Sequence, residues 1–291
     1  MSLGLVPAPL LAVVAAAFFG AAIVVSKPAL SEIPPLAGTL VSIPTTTLFL
    51  WLLSPFLLDL ENFRISAVAV FCAVGIFFPA LVSFLNFEAN RRMGPTVSSA
   101  ISSTAPIFAV LGALIFLHEQ LTLRQAIALA VIVAGVMLLS IADKSRPRNW
   151  PLWALLIPAG AAMFRGTAQA GIKYGLAIWQ NIFVALLIGY TMSSIALLAA
   201  NALTGNVKRK VYRRGVVVRF WCVGGLNGGG MLFSYIALQH GQVTQIAPIL
   251  ASFPLFTFLL SAIFLHGERV TLRLAAGVLM TVAGVIAMTL H

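Results

Sequence analysis

Apolar residues run along this chain in ten stretches, which short polar or turn-forming segments separate. A helix needs about 20 residues to cross a bilayer. Each stretch is about that long, and the breaks carry Pro, Gly, Asn or charged residues, as turns do. A barrel strand would need only about ten residues, so we expect helices. The predicted spans are 9–30, 34–57, 66–88, 95–117, 123–142, 151–174, 177–201, 216–239, 243–265 and 271–290.

Short motifs of the first half return in the second half in the same order. The segment Phe-Leu-His-Glu-Gln-Leu-Thr-Leu-Arg at 116–124 returns, with one insertion, at 264–273. Further matched residues are Phe18, Gly20 and Lys27 with Phe164, Gly166 and Lys173, Gly75 with Gly225, Pro106 with Pro254, and Gly135 with Gly284. We therefore predict an all-α membrane protein whose ten transmembrane helices form two five-helix repeats, residues 1–145 and 146–291. Because five is odd, the second repeat enters the membrane inverted, which is a recurring transporter architecture.

The composition identifies lipid as the main solvent of the chain. Apolar residues make up 60% of it and charged residues only 9%, whereas a soluble domain carries roughly a quarter charged residues. The net charge of +11 sits in short clusters between apolar runs, so a nucleic-acid partner is not expected. Cys72 and Cys222 lie far apart inside apolar runs and form no metal-ligand spacing. We expect neither a metal nor a cofactor.

The positions of Lys and Arg predict the orientation. Most of the 18 lie in loops that follow odd-numbered helices, and only Arg64 and Arg124 lie in even-numbered loops. Short cytoplasmic loops carry the excess of positive charge. The count therefore predicts that both termini face outside.

The repeated motifs resemble the drug/metabolite transporter superfamily, and most closely its ten-helix EamA type. The resemblance rests on Gly-x6-Lys at the ends of helices one and six, and on the Phe-Leu-His to Thr-Leu-Arg links after helices four and nine. It implies a multi-pass protein of the cell inner membrane that moves small organic solutes, with a cavity lined by helices one, three, four, six, eight and nine. Many members carry an Arg early in helix two, where this chain has Ser42 nearby, and members are often drawn with both termini inside.

Arg165 is the most informative candidate for solute binding. It falls about fourteen residues into predicted helix six, roughly 20 Å deep at 1.5 Å per residue. A central Arg costs about 2.5–3.5 kcal/mol to insert, so it should face the bundle interior, where it could bind a carboxylate bidentately. The alternative is that it snorkels to a surface. Gln169 lies one turn on, on the same face, and could share the site.

Polar residues of helices four, eight and nine are candidates for the other cavity walls. Glycine-rich helix eight carries Asn227 and Tyr235, helix four carries Ser99 and Ser103, and helix nine carries Gln245. The glycines fit a helix-packing surface equally well. The hydroxyl groups could instead bond back to their own helix.

Three charged residues are candidates for gating or coupling. Lys27 and Lys173 end their predicted helices, where a cation is favourable with the helix dipole. Their symmetry indicates a gate or an anchor. Glu88 lies in an apolar run and could carry a coupling proton, or it could pair with Arg91 or Arg92 at the interface.

These observations favour a secondary transporter, and more specifically an exporter of an amino acid or a related zwitterion or anion. Multidrug efflux is an alternative that predicts an acidic residue at the cavity centre. A membrane-embedded transferase is an alternative of another class, and it should show clustered Asp and His at a membrane face. The expected partners are a small-molecule solute and the lipid bilayer, and a homodimer remains open.

Overall fold

The computed structural model describes residues 6–30, 32–102, 104–141, 151–204, 213–264 and 272–289. A short 3₁₀ helix, Leu152–Leu155, precedes α7. Twelve α-helices follow one another along the described residues: α1 (Ala8–Leu30), α2 (Pro35–Leu57), α3 (Ile65–Phe77), α4 (Ala80–Ser102), α5 (Ala105–Phe116), α6 (Leu123–Ile141), α7 (Leu156–Ile178), α8 (Ile182–Thr204), α9 (Arg214–His240), α10 (Val243–Leu250), α11 (Phe253–Phe264) and α12 (Leu272–Thr289).

Six stretches of helix in the described residues are long and apolar enough to cross a membrane. They include Pro35–Leu57 and Ile182–Leu203. Large apolar side chains such as Leu48, Phe56 and Leu203 are exposed along these helices. Exposed apolar surface of this extent is costly in water, and it matches the lipid environment expected from the composition.

The third predicted span is interrupted where the sequence indicates a continuous helix. α3 ends at Phe77, the Phe78–Pro79 peptide bond is cis, and α4 begins at Ala80. The Ser193 hydroxyl of α8 accepts a hydrogen bond from the Ala80 backbone N–H at 3.0 Å. Because another helix satisfies this N–H, the chain can break inside an apolar region without leaving a buried donor unpaired.

α4 covers the end of the third predicted span and the start of the fourth, and it folds back on itself. The Ser102 hydroxyl donates to Asn86 Oδ1 at 2.9 Å. In a straight helix two residues sixteen positions apart would be separated by about 24 Å. The two predicted spans therefore lie side by side, although helical geometry continues through the turn between them.

The boundary between the sixth and seventh predicted spans is wrong by about four residues. Helix α7 continues to Ile178, and α8 begins at Ile182. Gly175 lies inside α7, and the Phe71 ring packs closely against it. The start of α8 is fixed by Asn181, whose Oδ1 accepts a hydrogen bond from the Val184 N–H at 3.0 Å, as an N-cap residue does.

The fourth and ninth predicted spans are broken at matched positions, just before Pro106 and Pro254. In the first half, the Thr104 hydroxyl donates to the Ile101 carbonyl at 2.7 Å, and the Thr104 N–H donates to the same oxygen at 3.0 Å. In the second half, the Ser252 hydroxyl and N–H donate to the Ile249 carbonyl at the same two distances. Proline lacks the N–H that would continue the helix, so each hydroxyl stabilises an interruption.

Contacts between the two halves also come in matched sets. α1 packs on α9 and α11, whereas α7 packs on α3, α4 and α5. Gly20 lies against Phe256 and Thr257 of α11, and Gly166 lies against Phe108 and Ala109 of α5. A Cβ atom at either glycine would come within 3.0 Å of the neighbouring helix, so both crossings depend on the absence of a side chain.

Hydrogen bonds join four loops at one end of the bundle. Trp179 Nε1 donates to the Glu61 carbonyl at 3.0 Å, Gln239 Nε2 to the Gln180 carbonyl at 3.3 Å, and the Val243 N–H to Glu119 at 2.9 Å. We call this end, formed by loops 58–64, 117–122, 179–181 and 241–242, the Gly241 end. The opposite end contains the Arg219–Glu32 ion pair, in which the charged atoms are 3.6 Å apart.

Candidate solute site

Arg165 lies near the middle of the 23-residue α7 and on its inward face. At 100° per residue, the exposed residues Met163 and Tyr174 lie on the opposite side of the helix. Gln169 is one turn further along the inward face and only 9% exposed. Arg165 therefore lies on the inward face of α7, and its side chain is half-buried.

Two helix interruptions meet at this part of α7. Gly166 contacts Ala105, the first residue after the α4–α5 break. The Arg165 guanidinium carbon lies 5.4 Å from the centroid of the Phe253 ring, and Phe253 is the first residue of α11 after the α10–α11 break. Broken helices are a usual place for solute sites in membrane transporters, because their free ends offer dipoles and backbone polar groups.

The Arg165 guanidinium and the Gln169 side-chain oxygen have no hydrogen-bond partner among the described residues. Among the described residues, Arg165 makes no hydrogen bond or ion pair, and its guanidinium instead makes a cation–π contact with Phe253. The side-chain oxygen of Gln169 is fully buried and has no hydrogen-bond partner. A half-buried cation and a fully buried acceptor without partners are costly. A bound ligand that supplies the missing hydrogen-bond and ionic partners would offset this cost.

The glycines of α9 mainly provide helix packing. The Thr46 hydroxyl of α2 donates to the Gly224 carbonyl at 2.7 Å, and a Cβ at Gly228 would lie 2.9 Å from the Thr46 methyl group. Asn227 lies on the inward face, away from the exposed residues Val218 and Leu232. Its amide is half-buried and bonds to no other described residue. Of the polar residues predicted on α9, Asn227 is thus the one that is free to line a cavity.

Two of the remaining predicted wall residues, Tyr235 and Gln245, do not join this group. Tyr235 is buried between α9 and α8, with its hydroxyl 3.7 Å from the Cβ position of Gly189. Gln245 Nε2 donates to the Met288 carbonyl of α12 at 2.8 Å, which occupies it in helix packing. Ser103 and the side chain of Ser99 lie outside the described residues.

Lys173 stabilises the end of α9. Its ammonium group donates to the carbonyl oxygens of Gln239 at 3.3 Å and Gly241 at 2.9 Å. A cation at a helix C-terminus is favourable with the helix dipole, and the contact joins α7 to the α9–α10 turn. The side chain of its repeat partner, Lys27, lies outside the described residues.

Glu88 forms an ion pair with Arg92. Arg92 Nε donates to Glu88 Oε1 at 2.5 Å, one turn away on α4. The Arg92 guanidinium also lies over the Trp153 ring, 5.1 Å from its centroid. This geometry matches the alternative of an interfacial ion pair.

Two residues that contact the predicted site residues or their helices, Phe253 and Glu119, were not among the predicted site residues. Phe253 has no sequence signal beyond its position before Pro254. Glu119 is part of the repeated Phe-Leu-His segment, and its carboxylate accepts hydrogen bonds from the N–H groups of Val243 and Thr244, each at 2.9 Å. A glutamate recurs at matched positions 119 and 268 of the two halves. This recurrence could have identified Glu119 as a site residue from the sequence.

Comparison with known proteins agrees with this architecture. A crystal structure described only as "Crystal structure of protein" has a TM-score of 0.79 to this chain at 15% sequence identity, over 97% of this chain and 96% of that chain. At that identity the similarity shows the fold alone. No curated protein matches the sequence significantly. The model of the EamA-like transporter family matches residues 6–141 and again residues 151–290. The chain is therefore a multi-pass membrane protein that belongs to the EamA-like transporter family.

Proposed function

We propose that this chain is a secondary transporter that exports a small organic solute carrying an anionic group, such as an amino acid or a related zwitterion or anion. The observation that carries the proposal is Arg165. It is a cation on the inward face of α7, next to two helix breaks, and it has no anionic partner among the described residues. A planar guanidinium binds a carboxylate through two parallel hydrogen bonds.

The expected mechanism is alternating access between two inverted five-helix units, with the solute bound between them. The matched hydrogen bonds of Thr104 and Ser252 and the matched crossings of Gly20 and Gly166 support this repeat. The family match to two successive segments also supports it. Ten transmembrane helices result if α3 to α5 are counted as two spans and α10 with α11 as one.

The sign of the central charge argues against multidrug efflux of cations. Such a site would need a carboxylate at its centre, and Glu88 is instead paired with Arg92 near the end of the bundle. A transferase would need clustered catalytic groups. Within the described residues no group of three or more His, Cys, Asp or Glu could hold a metal ion. Arg165 alone favours a small-anion transporter over both alternatives.

The proposed location is the cell inner membrane, with both termini outside. The charge distribution of the loops supports this orientation, because the cytoplasmic side attracts Lys and Arg. At the Gly241 end the charged loop residues include Asp59, Glu61 and Glu119. The Gly241 end would then face outside, and solute would leave through it.

The test compares metabolites released by cells that overexpress the chain and by cells that lack it, using mass spectrometry. We expect one or a few small anions or zwitterions to accumulate outside the overexpressing cells. Cells that produce Arg165→Ala at an equal membrane level are the control and should match the deletion strain. Release of cationic compounds alone would support the multidrug alternative, and release that is unaffected by Arg165→Ala would contradict the proposed site.

A further inference from the structure

Glu119 connects the two halves of the molecule at the Gly241 end. It lies in the loop between α5 and α6. Its carboxylate accepts hydrogen bonds from the N–H groups of Val243 and Thr244 at the start of α10, more than 120 residues away. A helix start carries free N–H groups and a partial positive charge. One carboxylate from the first half thus satisfies two of them in the second half, through charge-assisted hydrogen bonds.

Lys173 binds the same α9–α10 turn through the end of α9. Its hydrogen bonds to Gln239 and Gly241 satisfy carbonyl groups at the end of α9, two residues before α10 begins. The α9–α10 turn is therefore held by a cation at the negative end of one helix and by an anion at the positive end of the next. The turn itself is tight, because a Cβ at Gly241 would lie 2.8 Å from Ile246.

This turn lies at the Gly241 end, beyond the candidate site along the direction of α7. Arg165, Gln169 and Lys173 are spaced by four residues along α7, so they form one row on its surface. Eight residues of helix correspond to about 12 Å. Under the proposed function, a solute that leaves Arg165 toward the Gly241 end passes Gln169 and then the turn that Lys173 and Glu119 hold.

We propose that Glu119 and Lys173 form a latch that closes the Gly241 end of the solute pathway, and that opening toward this end requires the Glu119 bonds to α10 to break. This inference rests on the proposed transport function, because a latch needs a pathway to close. In this pair Glu119 is the residue that joins the two halves. Lys173 holds the α9–α10 turn in the position in which the first N–H groups of α10 can donate to the Glu119 carboxylate.

The test measures access to the site and uses no solute. Cys72 and Cys222 are replaced by Ala, and Gln169→Cys provides a single reporter thiol. A membrane-impermeant maleimide is applied separately to each face, in right-side-out and inside-out vesicles. A second reporter, Asn62→Cys in the exposed 58–64 loop, identifies the face that corresponds to the Gly241 end. The assignment of faces therefore does not depend on the predicted topology.

We expect Glu119→Gln to raise the alkylation rate of the Gln169→Cys thiol about tenfold from the Gly241 face, which corresponds to about 1.4 kcal/mol. Glutamine has almost the same shape, but it loses the charge, and its NH₂ group faces one of the two N–H donors. The rate from the opposite face should not rise. Glu61→Gln is the matched control, because Glu61 is an exposed carboxylate at the same end. Its backbone carbonyl accepts from Trp179 and its backbone N–H donates to Asp59, whereas its carboxylate bonds to no other described residue.

Two outcomes would overturn the proposal. One is a Glu119→Gln rate equal to that of Glu61→Gln, and the other is an equal rise from both faces, which would indicate general loosening. If Glu119→Gln fails to reach the membrane, Lys173→Met carries the same test with the carboxylate intact. A negative result leaves the transport of wild-type protein and the loss in Arg165→Ala unaffected, so the failure of the latch can be distinguished from the failure of the proposed function.

Discussion

The Arg165 guanidinium carbon lies 5.4 Å from the centroid of the Phe253 ring, so a cation of α7 rests on the first residue of broken helix α11. An aromatic face holds a guanidinium without consuming its N–H donors. The ring can therefore hold the cation in position while its five donors remain available to a solute.

Arg165→Ala should reduce transport of the solute more than about thirtyfold, because removing one partner of a buried charged hydrogen-bonded pair costs about 2–5 kcal/mol. Arg165→Lys should restore little, since a point-like ammonium cannot reproduce the planar fork. Uptake into inside-out vesicles measures both variants, with protein amounts equalised by immunoblot. Normal transport by Arg165→Ala would exclude this residue from the site and leave Asn227 and Gln169 as better candidates.

Phe253→Leu should lower the affinity for solute by a smaller factor than Arg165→Ala does. A cation–π contact contributes about 0.5–2 kcal/mol, which is roughly a two- to thirtyfold change. Phe253→Tyr, which keeps the aromatic face, is the conservative comparison and should stay near wild type. The concentration of solute that gives half-maximal vesicle uptake is the measurement. Equal losses in the two variants would indicate that the packing of Phe253 matters and its ring face does not.

Gly166→Ala should destabilise the protein, whereas Gly225→Ala should not. A Cβ at Gly166 would lie 2.5 Å from the Ala105 carbonyl oxygen, and the backbone cannot easily move away. A Cβ at Gly225 would have no neighbour within 4 Å, so alanine there should stabilise the helix by up to about 1 kcal/mol. The melting temperature in detergent, measured by fluorescence-detected size exclusion, separates the two. A lower melting temperature for Gly225→Ala than for Gly166→Ala would contradict the α5–α7 contact.

A reporter that is active only outside the cell should work when it is fused after His291, and one that is active only in the cytoplasm should be silent. The reason is the concentration of Lys and Arg in the loops after odd-numbered helices. Fusions placed after Asp59 should behave like the fusion at His291, because both positions are predicted on the same face. The opposite pattern at both sites would invert the topology and would also invert the side to which the Gly241 end opens.

Lys27→Met should raise the alkylation rate of the Gln169→Cys thiol from the face opposite the Gly241 end. Lys27 and Glu268 are the repeat partners of Lys173 and Glu119, so an inverted repeat predicts a second latch at the other end. The Lys27 side chain and Glu268 lie outside the described residues, and the expectation rests on the sequence alone. Comparison with Lys173→Met in the same vesicles is the control. If both variants open the same face, the two lysines are not related by inversion.

The sequence by itself determined that the chain is a helical membrane protein of the EamA-like type, and it identified Arg165 as the central cation. Length and apolarity of a segment are local properties, and lipid as a solvent penalises every unpaired backbone group. These two constraints are strong enough to be read without a structure. Repeated motifs such as Gly20 with Gly166 identified equivalent positions in the two halves, and the structure shows that a helix crosses closely at each of them.

Only the tertiary structure decided which polar groups are free. Gln245 is satisfied by Met288, and Ser252 by Ile249, whereas Asn227 and Arg165 keep their donors. The bonds from Glu119 to Val243 and Thr244 join segments more than 120 residues apart. Such pairings depend on how helices pack, because a hydrogen bond needs its two atoms within about 3 Å, and no spacing along the chain encodes that distance.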